Sequence, residues 1–588
     1  MTSSDATATA PAPQVLREYA LLADGRRGAL IGPRGDVAWL CAPAWESDAV
    51  FTSLLGGGGG YAITPIDERF VWGGFYEPGS LIWTSRWVTT DAITHSREAL
   101  LFPGDPDTVT LLRRVEAVDG GAAVDVWLDV RAGFGRHPLR DLVRDAQGWT
   151  GRAGDLYVRW LGAPHARPDQ AGALRAELRL PSGAHHDLVL QLSTRPFAGP
   201  APDPDAAWSA TQTAWRAAVP PGIDGIACRD ARHACAVLHG LTVPGGGMVA
   251  AATTSLPERA EAGRNYDYRY AWIRDQSYAG HAAGVAGVDG LLDSAVHFVS
   301  QRLLADGSRM APAYLAGSGR AVPDERELSF LPGYPGAPVR TGNWVNQQFQ
   351  LDAFGEALLL LSLAAGRDRL DTDGRRALHI AADAVAERWP EPDAGIWELR
   401  PRAWTHSRLI CVAGLRQAAT QERGPVAGRW RELAERILAD TTATSRHPSG
   451  RWQRAPDDPR PDAALLFPGI RGAVPPEDPR TRATLAAVRA ELAEDGYVYR
   501  FREGGEPLGD AEGAFLLCGY GMALAEHQAG NAVAAGRWFE RNRAACGPPG
   551  LFAEEYDVRQ RQLRGNLPQA FVHALMLETA ATLPDPTE

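Results

Sequence analysis

Fourteen consecutive positions near the middle of the chain, Gly263 to Gln276 (Gly-Arg-Asn-Tyr-Asp-Tyr-Arg-Tyr-Ala-Trp-Ile-Arg-Asp-Gln), hold two aspartates, three arginines, three tyrosines and one tryptophan. Carboxylate and guanidinium groups make paired hydrogen bonds to vicinal hydroxyls, and flat aromatic faces cover the C–H faces of a saturated ring. Together they suit a pyranose. The same residues could equally form a polar loop with an ion pair, since a helix-like apolar run (Tyr278, Ala279, Ala282, Val285) follows directly.

Splitting a glycosidic bond with inversion takes two carboxyl groups on opposite sides of the anomeric carbon. One protonates the leaving oxygen and the other activates a water, with the pair about 6.5–9.5 Å apart. Such a pair comes from different loops, so closeness in sequence is not required. Two stretches offer carboxylates. Asp393-Ala-Gly-Ile-Trp-Glu-Leu-Arg400 carries Glu398, and Gly550-Leu-Phe-Ala-Glu-Glu-Tyr-Asp557 carries Glu554 and Glu555. Without further context Glu398 reads as a loop carboxylate paired with Arg400, and the other two as loop charges.

Asn265-Tyr-Asp-Tyr-Arg-Tyr-Ala-Trp-Ile-Arg-Asp275 resembles the N-W-D-Y-R-Y-x-W-x-R-D signature of glycoside hydrolase family 15, the glucoamylases, glucodextranases and bacterial or archaeal trehalases. The Glu398 stretch is similar to that family's G-x-W-E-x-R segment. Gly550–Asp557 and Arg564-Gly-Asn-Leu-Pro-Gln-Ala-Phe-Val-His573 are similar to its L-x-E-[EQ] and G-N-F-P-Q-A-F-S-H elements. The resemblance implies Glu398 as general acid and Glu554 as general base, in preference to Glu555, which falls where some members carry Gln. An acid working near neutral pH needs a raised pKa, which packing against an indole such as Trp397 would supply. Arg274 and Asp275 match the pair that grips the distal hydroxyls of a terminal glucose, which makes the pocket blind-ended and the action exo. Tyr268 matches the tyrosine that holds the catalytic water. Trp272 and Trp397 are expected as walls, and Trp344, Glu555 and Arg500 complete the expected substrate-binding set. No cofactor and no metal are implied. The chain departs from the family pattern at Phe330 and Pro335, in a loop expected to face the leaving group, and after Cys411, where it reads Val-Ala-Gly-Leu-Arg. Those changes put the aglycone preference in question.

The elements that must position these residues fall into two textures. From Tyr19 to about Ser193, alternating or β-branched runs such as Val37–Cys41, Val109–Leu112, Val124–Val130, Leu156–Trp160 and Leu188–Leu192 are separated by Gly, Pro and Asp turns, which favours a β-sandwich over residues 19–200. Gly56–Gly60 reads as a flexible turn, not a nucleotide loop, because no Lys-Ser/Thr follows. Residues 1–18 read as a disordered tail, and 201–225 as a proline-rich linker with a short helix. Over 226–588 the helical period predicts about twelve helices, starting near Cys228, Arg274, Gly290, Gln347, Asp373, Ser407, Ala427, Asp462, Asp478, Glu512, Asn531 and Leu567. The resemblance implies that they close into a C-terminal (α/α)6 barrel.

Composition narrows the alternatives. The chain has 588 residues, 45% hydrophobic and 22% charged, as in a soluble globular protein of two domains. A net charge of −11 argues against nucleic-acid binding. There is no lysine, which excludes Schiff-base and phosphate-loop chemistry. The six cysteines form no C-x-x-C pair, and H-E-x-x-H and G-x-S-x-G motifs are absent. No apolar run reaches the roughly eighteen residues of a membrane span, and the N-terminal stretch lacks the features of a signal peptide; the expected location is the cytoplasm. The leading expectation is an inverting, exo-acting α-glucoside hydrolase of glucoamylase type, with a small α-glucoside or oligosaccharide as substrate. The alternatives are a trehalase, a disaccharide phosphorylase, or a sugar-binding protein without turnover. Homo-oligomerisation is left open.

Overall fold

The computed structural model describes residues 12–259, 264–335, 337–502, 508 and 512–584. They form two compact units. The first comprises the described residues of Met1–Ala217 with Glu327–Val339 and Gly547–Leu551; the second comprises those of Ala218–Arg326, Arg340–Cys546 and Phe552–Glu588.

The first unit is built from two antiparallel sheets. One has eight strands, in the order Ala20–Ala23, Gly28–Ile31, Asp36–Cys41, Gly60–Pro65, Ala122–Asp129, Leu174–Leu180 and Arg167–Pro168, with Ala49–Phe51 paired to Asp36–Cys41. The other has nine, running from Arg131–Ala132 through the long pair His185–Ser193 and Thr108–Asp119 to Val71–Tyr76 at its edge. Alternation explains the pairing of faces. Val124, Val126 and Leu128 of one sheet, and Leu111, Val158, Trp160 and Leu190 of the other, join one apolar core.

Three sequence expectations change here. Leu16–Glu18, assigned to the tail, is a short 3-10 turn with Leu16 buried; Met1 to Pro11 lie outside the described residues. The linker helix spans Pro204–Ala218 (α1) and belongs to the first unit through Ala217. Trp208, Thr211 and Trp215 share its buried face, and Trp215 stacks on Phe102 with centroids 4.0 Å apart. Gly56–Gly60 is a close-packed turn: a Cβ at Gly59, whose φ is +82°, would lie 2.7 Å from the Val50 carbonyl oxygen. Glu327–Val339, the segment with the altered Phe330 and Pro335, is tied to the first unit by Gly333 N donating to Leu55 O at 2.9 Å.

The second unit contains twelve α-helices among its described residues: α2 (Cys228–Leu241), α3 (Ile273–Val285), α4 (Asp289–Asp306), α5 (Asp352–Gly366), α6 (Thr372–Arg388), α7 (Thr405–Gln421), α8 (Pro425–Ser445), α9 (Phe467–Ile470), α10 (Pro479–Glu491), α11 (Leu516–Gln528), α12 (Ala532–Arg543) and α13 (Ala570–Thr582). Helices α3, α5, α7, α11 and α13 are buried nearly all round, including the polar first turns of α3 and α7. Helices α6, α8, α10 and α12 bury one stripe each. Helix α3 packs on α5, α5 on α7, α7 on α9, α9 on α11, α11 on α13, and α13 back on α3. The start expected near Gln347 moves to Asp352, because Trp344–Gln347 closes as a separate 3-10 turn and Gln348 is extended (φ −101°, ψ 150°).

Candidate active site

The stretch from Arg264 to Trp272 runs as extended chain alongside residues 250–258, and alternate residues from Arg264 to Tyr268 face one way. Arg264, Tyr266, Tyr268, Trp272 and Arg274 line a cavity of about 180 Å³. The residues between them are braces. Asp267 accepts from Arg269 Nε at 2.9 Å, from Tyr270 OH at 3.0 Å and from Gly342 N at 3.1 Å, all buried. Ala271–Trp272 then pairs with Ala313–Tyr314, and α3 begins, setting Arg274 and Asp275 in its first turn. Both are buried in the cavity wall. Arg274 donates to Gln350 Oε1 at 2.7 Å and to Asp352 Oδ2 at 3.4 Å, partners carried by the segment entering α5. Burial pushes the Asp275 carboxyl up to about 7, against the pull of Arg274.

Glu398 stands in a loop closed by the bridge between Asp393 and Arg402. The loop is held from below by Asp393, which accepts from Gly395 N at 2.7 Å and Ser407 Oγ at 2.8 Å, and whose carboxyl burial pushes up to about 8. Glu398 itself has φ +54°, a left-handed conformation that costs a non-glycine residue energy and that clusters at functional sites. Its Oε1 accepts from Trp272 Nε1 at 2.7 Å and Arg274 NH2 at 3.2 Å. The indole bonded to this carboxylate is therefore that of Trp272. Trp397 also lines the cavity, but its Nε1 is drawn to Asp462 Oδ1 at 2.8 Å.

Glu554 precedes the strand Glu555–Asp557, which lies between Ala514–Phe515 and Gln562–Arg564. Glu554 Oε1 accepts from Tyr268 OH at 3.2 Å, and its Oε2 has no hydrogen-bond partner among the described residues. Burial and the neighbouring Glu258 hold its carboxyl well above the usual range, with Arg500 and the Tyr268 hydroxyl opposing. Neighbouring residues of an extended chain point apart, and Glu555 does so. It is fully buried, accepts from Gly513 N at 2.8 Å, lies 3.4 Å from Arg500 NH2, and is not part of the cavity wall. Its expected place among the sugar-binding residues is corrected accordingly: it braces Arg500.

Arg500 reaches the wall, its guanidinium 4.8 Å from the Phe515 ring centroid, and donates to Glu512 through both Nε and NH2. Trp344 lines the cavity while remaining 40% exposed. Glu258, Asn343 and Gln569 also line it and were not expected from the sequence. Glu258 had a signal, as the first charge after the uncharged run Val249 to Pro257, directly before Arg259.

The family model described as glycosyl hydrolases family 15 matches residues 238–581, and a trehalase-like N-terminal model matches residues 8–150. A trehalase of Mycolicibacterium smegmatis is 31% identical, covering 97% of this chain and 93% of its own length. One from Mycobacterium tuberculosis is 32% identical, covering 98% and 90%. A crystal structure of a bacterial glucoamylase complexed with acarbose superposes with a TM-score of 0.70 over 99% of this chain and 95% of its own, at 13% identity.

Proposed function

The chain belongs to glycosyl hydrolases family 15 and is a glycosidase, and from that premise we propose that it hydrolyses α,α-trehalose to two molecules of glucose with inversion at the attacked carbon. Similarity to the two mycobacterial trehalases along almost the entire chain carries this choice of substrate. It moves the reading from the leading expectation, glucoamylase-type action, to its alternative. We read the closed succession α3–α5–α7–α9–α11–α13, with a second helix following or preceding each, as an (α/α)6 barrel, and the first unit as a β-sandwich.

In this mechanism the terminal glucose is held by Arg274 and Asp275. Glu398 gives its proton to the bridging oxygen as the C1–O bond breaks. A water held against Glu554 Oε2, with Tyr268 fixing Oε1, adds to C1 and passes its proton to Glu554. The departing glucose leaves with the proton from Glu398, and exchange with solvent restores both carboxyl groups. A phosphorylase needs the acid but not the base, so a carboxylate with a vacant oxygen in the wall supports attack by water.

A proton NMR time course with trehalose, maltose and isomaltose, with and without inorganic phosphate, tests the reading. Trehalose should be consumed fastest, giving β- and α-glucose in equal early amounts, one from the inverted carbon and one from the leaving sugar. Faster loss of maltose would return the assignment to glucoamylase type. Early α-glucose alone would exclude inversion, and glucose 1-phosphate would identify a phosphorylase.

A further inference from the structure

Glu258 is only 5% exposed, yet its side chain lines the cavity. Among the described residues its carboxylate accepts no hydrogen bond. Among the described residues its one ion pair is with Arg500 NH2 at 3.6 Å, and that guanidinium is committed to Glu512 by two hydrogen bonds. The other nearby cation, Arg264, also donates to Glu512, at 3.2 Å. A buried carboxylate gains most from direct hydrogen bonds, and an unsatisfied one is costly. Glu512 and Glu555, its neighbours, are both hydrogen-bonded within the protein. Glu258 alone of the three presents vacant acceptors to the cavity.

Its height in the cavity follows from the backbone. Glu258 N donates to Arg264 O at 3.0 Å and Ser255 N to Tyr266 O at 2.9 Å, so the two chains run side by side. Along the second chain burial deepens inward: the Arg264 side chain is 30% exposed, and those of Arg274 and Asp275 are 6% and 5% exposed. Arg274 and Asp275 therefore form the closed end, and the Glu258 backbone is paired to Arg264 toward the open end, with the Glu258 side chain buried below the rim. A disaccharide whose terminal ring occupies the closed end brings its second ring to the level of Glu258.

We propose that Glu258 is a specificity-determining residue that accepts a hydrogen bond from a hydroxyl of the leaving sugar ring. The inference rests on the hydrolase reading above. It favours substrates whose aglycone is itself a polyol and gives no help to a leaving group without hydroxyls.

The test compares Glu258→Ala and Glu258→Gln with wild type on trehalose and on α-D-glucosyl fluoride, which shares the terminal ring but has a leaving group without hydroxyls. Loss of a hydrogen bond to a charged group corresponds to a drop of about 10–100-fold in kcat/KM. In Glu258→Ala the loss on trehalose should exceed that on the fluoride by at least about tenfold, mainly through KM, with Glu258→Gln in between because its amide oxygen still accepts. Equal losses on both substrates in a folded variant would overturn the inference by tying Glu258 to the reacting centre or the fold, and so would no loss on either. Wild-type protein inert toward both compounds would overturn the hydrolase reading, and this inference with it.

Discussion

Two buried carboxylate sites, one in each unit, are satisfied in opposite ways. In the first unit Glu98 and Arg113 are both fully buried. Glu98 accepts four hydrogen bonds, two from Arg113 and one each from Ser96 and Ser85. The remaining Arg113 donors reach Tyr61 O at 3.0 Å and Gly35 O at 2.6 Å, and the guanidinium lies 4.5 Å from the Tyr61 ring centroid. Burial still raises the Glu98 carboxyl, but every partner opposes it. In the second unit the cavity carboxylates Glu258 and Glu554 are also buried; Glu554 Oε2 has no hydrogen-bond partner among the described residues, and Glu258 has an ion pair with Arg500 at 3.6 Å but accepts no hydrogen bond among them. The Glu98 carboxylate, which serves the fold, is saturated by its own protein, whereas the cavity carboxylate Glu554 leaves an oxygen open at a standing cost in stability.

The sharpest way to break that comparison is to neutralise one group of each kind. Glu554→Gln and Glu398→Gln should each lower kcat on trehalose by about 10²–10⁴-fold, the usual contribution of a general acid or base. The thermal midpoint should hold, and should rise for Glu554→Gln at alkaline pH, since that change removes the cost of ionising a buried carboxyl with an unpaired oxygen. Arg113→Met should do the reverse. It strands Glu98 and should cost about 3–5 kcal/mol in a denaturant titration, while adding Glu98→Leu should recover most of the loss. A Glu554 variant that unfolds as readily as Arg113→Met would erase the distinction.

Much of this was legible in the sequence, for physical reasons that can be named. The twelve helices announce themselves because burying one stripe or all sides of a helix leaves a period in the sequence, and the five-residue error at α5 arose at Gln347 to Gln350, where Gln350 accepts from Arg274 in the cavity wall. Arg264, Tyr266 and Tyr268 follow a two-residue period written in charged and aromatic residues, which ends where Tyr270 turns to Asp267. Three features left no such trace. The left-handed backbone at Glu398 is a property of the loop's closure between Asp393 and Arg402. The separation of Glu554 from Glu555 depends on strands at Ala514–Phe515 and Gln562–Arg564. The return of Glu327–Val339 and Gly547–Leu551 to the first unit depends on contacts distant in sequence. Glu258 was visible as a charge, but not as a cavity carboxylate that accepts no hydrogen bond among the described residues.

A smaller effect refines the comparison through pH. Asp275 is a cavity carboxylate that burial raises to about 7 from an ordinary value near 4. A group whose pKa is higher folded than unfolded contributes stability that is complete below the unfolded value and is lost as pH rises through the folded one. Asp275 in the empty cavity should therefore cost little below about pH 4, progressively more up to about pH 7, and a constant amount above that. Asp275→Asn removes the titration while keeping the shape. Its thermal midpoint should match wild type in acid and exceed it above pH 7, by the equivalent of at least about 1 kcal/mol, although sugar binding is lost. Glucose bound to the wild type supplies hydroxyl donors to the ionised carboxylate, so it should stabilise wild type more at pH 8 than at pH 5. If the gap between variant and wild type is the same at every pH, Asp275 ionises as freely as a surface carboxylate and does not share the strained state of the other cavity groups.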